Sequence, residues 1–201
     1  MGKAVKIVIF LGILLLFLIL IASWFFGIRN NMVTLEEGIN NSWAQVQNQY
    51  QRRYDLIPNL VETVKGFAQQ EKDVFLGVTE ARAKAGGVMN ISPETLENPQ
   101  AFARFQEAQA GLGSALQRLL VVMERYPDIK SNQNFLTLQA QLEGTENRIS
   151  VERRRFNEQV QAYNSYIRKV PQNFVASIFG FRSKAYFQAV SEAEQAPKVE
   201  F

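Results

Sequence analysis

Residues 7–27, IVIFLGILLLFLILIASWFFG, contain no charged side chain. A helix crosses ~30 Å of hydrocarbon with about 20 residues at 1.5 Å each, and this run has that length. Leu, Ile, Val and Phe surround it and leave no polar face for water. A buried core helix and a cleaved signal peptide are the competing readings. A core helix so uniformly apolar is out of scale with a chain of 201 residues. A signal peptide has a shorter apolar centre and small residues at its cleavage site. Here the run closes on Trp24, Phe25 and Phe26, side chains suited to a lipid–water boundary. The sequence therefore predicts a retained single-pass anchor, with a short basic N-terminus at 1–6 and a transmembrane helix at 7–27. Lys3 and Lys6 precede the span, and Arg29 alone follows it before Glu36 and Glu37. Positive charge tends to stay cytoplasmic, so the N-terminus is expected inside and the domain on the extracytoplasmic (periplasmic) side.

The rest of the chain has room for one domain. Cysteine and histidine are both absent. That removes thiol nucleophiles, disulfides, Cys/His metal sites and the commonest general base. Of the 22 basic and 19 acidic residues, only Lys3 and Lys6 lie before the end of the span. The domain beyond the span is therefore nearly neutral and offers no footprint for nucleic acid.

Beyond the span the apolar spacing is helical. Met32, Leu35, Ile39, Trp43, Val46 and Tyr50 step by three and four, and a continuous helix rising from the bilayer is the simplest reading. A joint is expected at 52–59, where Asp55 caps a new helix and Pro58 sits in its first turn. The second helix, carrying Leu60, Val64, Phe75 and Val78, stops at Gly86-Gly87. Residues 87–98 read as a loop. Asn98-Pro99 then opens a third helix to about 125, and Tyr126-Pro127-Asp128 ends it. A fourth helix from near Ser131 carries a seam of Phe135, Leu138, Leu142, Thr145, Ile149, Phe156, Val160, Tyr163, Ile167 and Val170, interrupted near Glu152-Arg153, and closes at Pro171. No stretch alternates like a strand. The fold class is all-α: one N-terminal transmembrane helix, then an elongated antiparallel four-helix bundle over 28–171 with coiled-coil-like seams, then a Phe-rich membrane-proximal segment and tail at 172–201.

Up-and-down connectivity places the Phe-rich segment at the bilayer end. Phe174, Phe179, Phe181 and Phe187 become candidates for a second membrane contact, against the alternatives that they plug the base of the bundle or pack on a neighbouring subunit. The same connectivity brings Arg52, Arg53, Asp55, Pro58 and Asn59 together with Tyr126, Pro127 and Asp128 at a distal tip.

The chain resembles the LemA family. The likeness rests on QRRYDLIPNLVETVK at 51–65, VTEARA at 78–83, RYPDIK at 125–130, Asn134-Phe-Leu136, LEGTENRI at 142–149, Tyr163-Asn164 and Pro171 through Phe181. It covers nearly everything after the span, in order. Gln70-Glu71 stands where the family often has a histidine before the glutamate, and Phe156-Asn157 where a tyrosine–asparagine pair is common. The resemblance implies a bacterial membrane protein with one N-terminal span and a helical bundle, with hints of a role in envelope organisation and no implied reaction. Some descriptions of the family place the N-terminus outside, opposite to the charge reading.

Candidate chemistry is sparse. Glu143 and Glu146 read as neighbours on a solvated helix face, Arg52 and Asp55 as caps paired across the joint, and Arg153-Arg154-Arg155 as a solvated run. No catalytic, cofactor or metal residues are assigned. The expected partners are the lipid bilayer and further copies of the chain in a structural homo-oligomer. The alternative is an adaptor that presents its distal tip to another envelope protein such as a transporter or protease.

Overall fold

The computed structural model describes residues 2–89 and 93–188. The chain is all-α, with no strand among the described residues. Helix α1 runs Lys3–Lys65 without a break, ~95 Å at 1.5 Å per residue. It is followed by α2 (Lys72–Gly87), a 3-10 turn (Pro93–Glu97), α3 (Pro99–Met123), α4 (Pro127–Lys130), α5 (Gln133–Arg168) and α6 (Gln172–Phe179). From Ile7 to Leu20 every large apolar side chain of α1 is exposed, and this helix is long and apolar enough to cross a membrane. Burial begins at Ile28 and Met32. The anchor and the first bundle helix are thus one rod.

The joint expected at 52–59 does not form. Asp55 caps nothing and instead accepts from Gln51 Nε2 at 2.8 Å. Pro58 lies inside α1, where its missing N–H leaves the Tyr54 carbonyl without a helical donor. Arg82 of α2 supplies that donor, with Nε 3.2 Å from the Tyr54 oxygen, and its guanidinium lies 3.8 Å over the Tyr54 ring. One turn further along α2 is Gly86. A Cβ there would stand 2.9 Å from the Tyr54 hydroxyl, so the absence of a side chain lets the ring lie flat on α2. The helix survives its proline because a neighbouring helix repairs the defect.

The turn therefore falls later, after Lys65, and α2 is short. The core divides accordingly. The distal half joins Ile57, Leu60 and Val64 of α1 to Phe75 and Val78 of α2, Leu112 to Met123 of α3, and Phe135 and Leu142 of α5. The proximal half joins Met32 to Tyr50 of α1 to Phe102 and Phe105 of α3, Phe156 to Ile167 of α5, Val175 and Ala176 of α6, and Phe187. In the proximal half α2 is missing from the fourth position, and the chain after α6 fills it. The expected cap on α3 does form, Asn98 accepting from the N–H groups of Gln100 and Ala101; α5, expected from near Ser131, is capped by Asn132, which accepts from those of Asn134 and Phe135. Val170, assigned to the α5 seam by spacing, is exposed, because α5 ends at Arg168 before the seam reaches it.

If Arg82 stabilises α1 by repairing Pro58, Arg82→Ala should cost about 1.5–3 kcal/mol, the range for a hydrogen bond from a charged donor. In a Pro58→Ala background, where residue 58 donates again, that cost should fall by about 1 kcal/mol. Urea unfolding of the four proteins in detergent measures the cycle, and equal costs in both backgrounds would refute the link.

Candidate functional site

Trp43 is the centre of the proximal half. Its ring is 5.7 Å from Phe102, 5.4 Å from Phe105, 5.5 Å from Phe156 and 6.0 Å from Phe187, centroid to centroid. The first three come from helices at regular seam positions. Phe187 comes from an extended strap, residues 180–188, that leaves α6 and climbs back along the bundle. Phe187 is thus a core residue, and its expected place near lipid is corrected. The strap turns upward at Gly180, whose φ of 76° lies in the left-handed region where a side chain is strained.

Two asparagines hold the strap. Asn164 donates Nδ2 to the Lys184 carbonyl and accepts the Lys184 N–H, both at 2.9 Å. Asn157 does the same for Phe187, at 3.0 and 2.9 Å. Each side-chain amide therefore stands in for one residue of a neighbouring strand. The asparagines are two helical turns apart, ~10.5 Å along α5, and residues 184 and 187 are ~10 Å apart in extended chain, so the two spacings match. On the other edge the Ala185 N–H donates to the Leu96 carbonyl at 2.9 Å, and the Gln188 N–H to Gln106 Oε1 at 2.9 Å. Arg153 closes the end: its guanidinium lies 4.5 Å over the Phe187 ring and donates to the Gln188 carbonyl at 3.0 Å. The seam interruption near Glu152-Arg153 is where the strap is clamped.

Lys184 is 7% exposed and pairs with Glu36 of α1 at 2.8 Å and Glu97 of the 3-10 turn at 2.6 Å. Burial alone pushes its pKa down, but the two carboxylates outweigh burial and raise it above the ordinary lysine value. Burial likewise raises the Tyr163 hydroxyl, beside the same carboxylates. A second buried cation, Arg53, is 3% exposed. It donates to Glu146 Oε1 at 2.8 Å and to the backbone and side-chain oxygens of Gln109, tying α1 to α5 and α3. Arg53 thus lies mid-bundle, and Arg52, Asp55, Pro58 and Asn59 share its level on an exposed stretch of α1. Tyr126, Pro127 and Asp128 do lie at the distal end, where the Tyr126 hydroxyl donates to Glu71 at 3.0 Å. That bond raises the Tyr126 pKa. Among the described residues no hydrogen bond, ion pair or ring contact joins the two halves of the expected tip.

At the base, Phe25 meets Phe179 at 5.7 Å, and Arg29 lies 5.2 Å over the Phe179 ring. Phe181 is half-buried against the proximal core, and Phe174 is exposed. Trp24 and Phe26 are exposed at the end of the apolar run, while Lys3 and Lys6 fall in the first residues of α1. The tail after residue 188, read from sequence as short and charged, lies outside the described residues. No group of three or more acidic residues is placed to hold a metal among the described residues.

Because the Lys184 pKa is raised, its contribution to stability is full below the ordinary lysine pKa and is lost only as pH climbs through the higher folded value. In a Trp24→Phe background, Trp43 emission should therefore stay native through the ordinary lysine range and change above it. Lys184→Met leaves Glu36 and Glu97 facing each other and should cost about 3 kcal/mol. Glu36→Gln with Glu97→Gln should restore most of that loss, which a purely steric defect would not allow.

Residues 42–201 match the model of the LemA family, beginning within α1 past the apolar run. Magnetosome protein MamQ 2 of Paramagnetospirillum magneticum is 29% identical over 174 residues, covering 79% of this chain and 64% of that protein. MamQ of Magnetospirillum gryphiswaldense is 28% identical over 173 residues, with the same coverage. Protein LemA of Metamycoplasma hominis is 23% identical over 185 residues, covering 90% of this chain and 80% of its own. The chain thus spans just under two thirds of the length of the magnetosome relatives. Segments that carry the resemblance build the contacts described above: 51–65 and 78–83 meet at Tyr54 and Arg82, and Tyr163-Asn164 gives an aromatic ring to the core and an amide to the strap, as does Phe156-Asn157, which departs from the family's common pair only in its ring. The family match covers most of the chain, and the protein belongs to the LemA family.

Proposed function

We propose that this protein is a non-enzymatic, membrane-anchored bundle that self-associates through the outer face of α2 and α3 and serves a structural role in organising its membrane. The observation that carries this reading is an open trough of about 700 Å³ between these two helices. Its floor is small: Gly77, Ala81, Ala108, Gly111 and Ala115. A Cβ added at Gly77 or Gly111 would meet nothing within 4 Å, so no contact inside the chain calls for glycine at either place. Each costs its helix about 1 kcal/mol relative to alanine. A helix that must be approached closely by a neighbour accounts for that cost. Asp73, Glu80 and Glu107 on the rim are balanced by Lys84, Arg104 and Arg118, a mixture that a patch meeting its own copy can pair. Leu76 and Val121, on the same two helices, are exposed.

Two further observations support a structural role. Among the described residues the buried cations, Arg53 and Lys184, are both engaged in fixing helices and strap, Arg53 by Glu146 and Gln109 and Lys184 by Glu36 and Glu97. Names of relatives refer to a subcellular structure, the magnetosome, and not to a reaction. An adaptor role through the distal end is the competing reading.

The test is the particle mass of the full-length protein, gently extracted from its own membrane, with co-purifying chains identified. A large particle of this chain alone is expected, and a small particle holding a second protein at fixed ratio would favour the adaptor. Gly111→Ala should raise the thermal stability of the isolated bundle slightly while weakening the particle. Gly77→Leu with Gly111→Leu should dissociate it with the helical content unchanged. A particle indifferent to both would remove the trough from the argument.

A further inference from the structure

The base of the bundle carries an apolar face that the fold leaves uncovered. Phe174 and Ile178, one turn apart on α6, are 63% and 68% exposed, and Val170, in the connection before α6, is 74% exposed. Leaving such side chains in water forfeits the burial that the same helix gains on its other side, where Val175 and Ala176 enter the proximal core. The position of this stripe is fixed by α1. Phe179, at the end of α6, touches Phe25 and is covered by Arg29, so α6 sits where the apolar run of the anchor ends. The charge around it is of one sign. Arg168 and Lys169 precede α6 and Arg182 follows it, all exposed, and no acidic residue occurs between 164 and 188. Among the described residues none of these three joins an ion pair, whereas Lys184, the next cation, is buried in one.

We propose that α6 is a second membrane foothold: an interfacial helix that inserts Phe174 and Ile178 among the acyl chains beside the anchor and holds anionic lipid headgroups with Arg168, Lys169 and Arg182. Phenylalanine on one face and cations flanking it are what an interfacial helix presents to an anionic surface. Two features of the structure name lipid as the occupant. The apolar stripe is continuous, through Phe179 and Phe25, with the surface of the span, and among the described residues the cations are in no ion pair, Glu97 near Arg182 being taken by Lys184. The foothold does not depend on self-association.

The chain has no cysteine, so single cysteines report one site each. Phe174→Cys and Ile178→Cys, each labelled with a polarity-sensitive fluorophore, are placed in the full-length protein in nanodiscs loaded at one copy per disc. Leu76→Cys, far from the anchor and with no second copy to cover it at one protein per disc, is the aqueous reference. With phosphatidylglycerol present, the labels at 174 and 178 should shift to the blue and be quenched several-fold more by headgroup-proximal spin-labelled lipid than the label at 76. Arg168→Gln, Lys169→Gln and Arg182→Gln together should abolish the difference between discs with and without phosphatidylglycerol. Labels that behave like the one at 76, open to a water-soluble quencher and blind to the lipid-borne one, would overturn the foothold. Labels shielded from both quenchers would assign the face to protein and overturn it equally. Lipid quenching indifferent to phosphatidylglycerol would overturn the anionic preference. An unchanged near-ultraviolet signal from Trp43, read in a Trp24→Phe background, confirms that each variant keeps its fold.

Discussion

An unbroken α1 is the constraint to which the rest of the structure answers. A helix of 63 residues has no stability of its own in water beyond its propensity, and it persists where its apolar stripe is covered. Lipid is the cover for the first third, and α5 runs along the remainder. The other flank needs two different covers, because the turn after Lys65 leaves α2 only 16 residues to return with. The α2–α3 pair closes the distal half, and the strap closes the proximal half. Each cover is attached to α1 by a polar contact placed at its own level: Arg82 to the carbonyl freed by Pro58, Arg53 to Gln109 and Glu146, and Lys184 to Glu36.

These polar contacts set register more than they add stability. A buried ion pair returns little net free energy after desolvation, while a mismatched one is expensive. An apolar seam repeating by three and four is satisfied at several offsets, since sliding by a heptad restores the pattern. Arg53 admits only the alignment of α1, α3 and α5 that presents Glu146 and Gln109 together. Lys184 admits only the strap position that reaches both Glu36 and Glu97. The two asparagines act in the same way, because a strap displaced by one residue would offer them a side chain where a peptide group is needed.

Much of this architecture was legible in the sequence, and the parts that were not have physical reasons. The apolar run, the 3–4 seam of α5 as far as Ile167 and the cap at Asn98 are local signals, and each appears where the pattern puts it. The joint at 52–59 failed because Asp-x-x-Pro is judged by its own neighbours, whereas the outcome was decided by Arg82, on another helix. A signal was present: the α1 stripe continues from Tyr50 to Arg53 to Ile57 to Leu60 to Val64 in steps of three and four. Following it through the supposed joint puts Arg53 on a core position. The strap was less accessible. It has no periodicity, and its attachment runs from backbone groups to polar side chains that a pattern assigns to the surface. The surviving hint is that Asn157 and Asn164 follow Phe156 and Tyr163 at the same seven-residue spacing. Glu146 was read as solvated and is exposed, but its pairing with Arg53 was not legible because nothing in its own helix indicates a buried arginine opposite.

The strap also fixes where α6 can lie. From the level of Phe179, beside Phe25 and Arg29, up to Trp43 is 14 to 18 residues of α1, or ~21–27 Å. From Phe179 to Phe187 the chain has eight steps, which span at most ~26–29 Å when extended. The strap is therefore nearly taut between two fixed points, the aromatic nest around Trp43 and the edge of the span. A longer connection would let α6 drift away from the end of the apolar run, and a shorter one would lift it above that level. With Phe187 seated and Lys184 paired, the depth of α6 relative to the anchor is determined by covalent geometry. The packing of one phenylalanine high in the bundle thereby holds the exposed stripe of Phe174 and Ile178 at the level where the lipid begins.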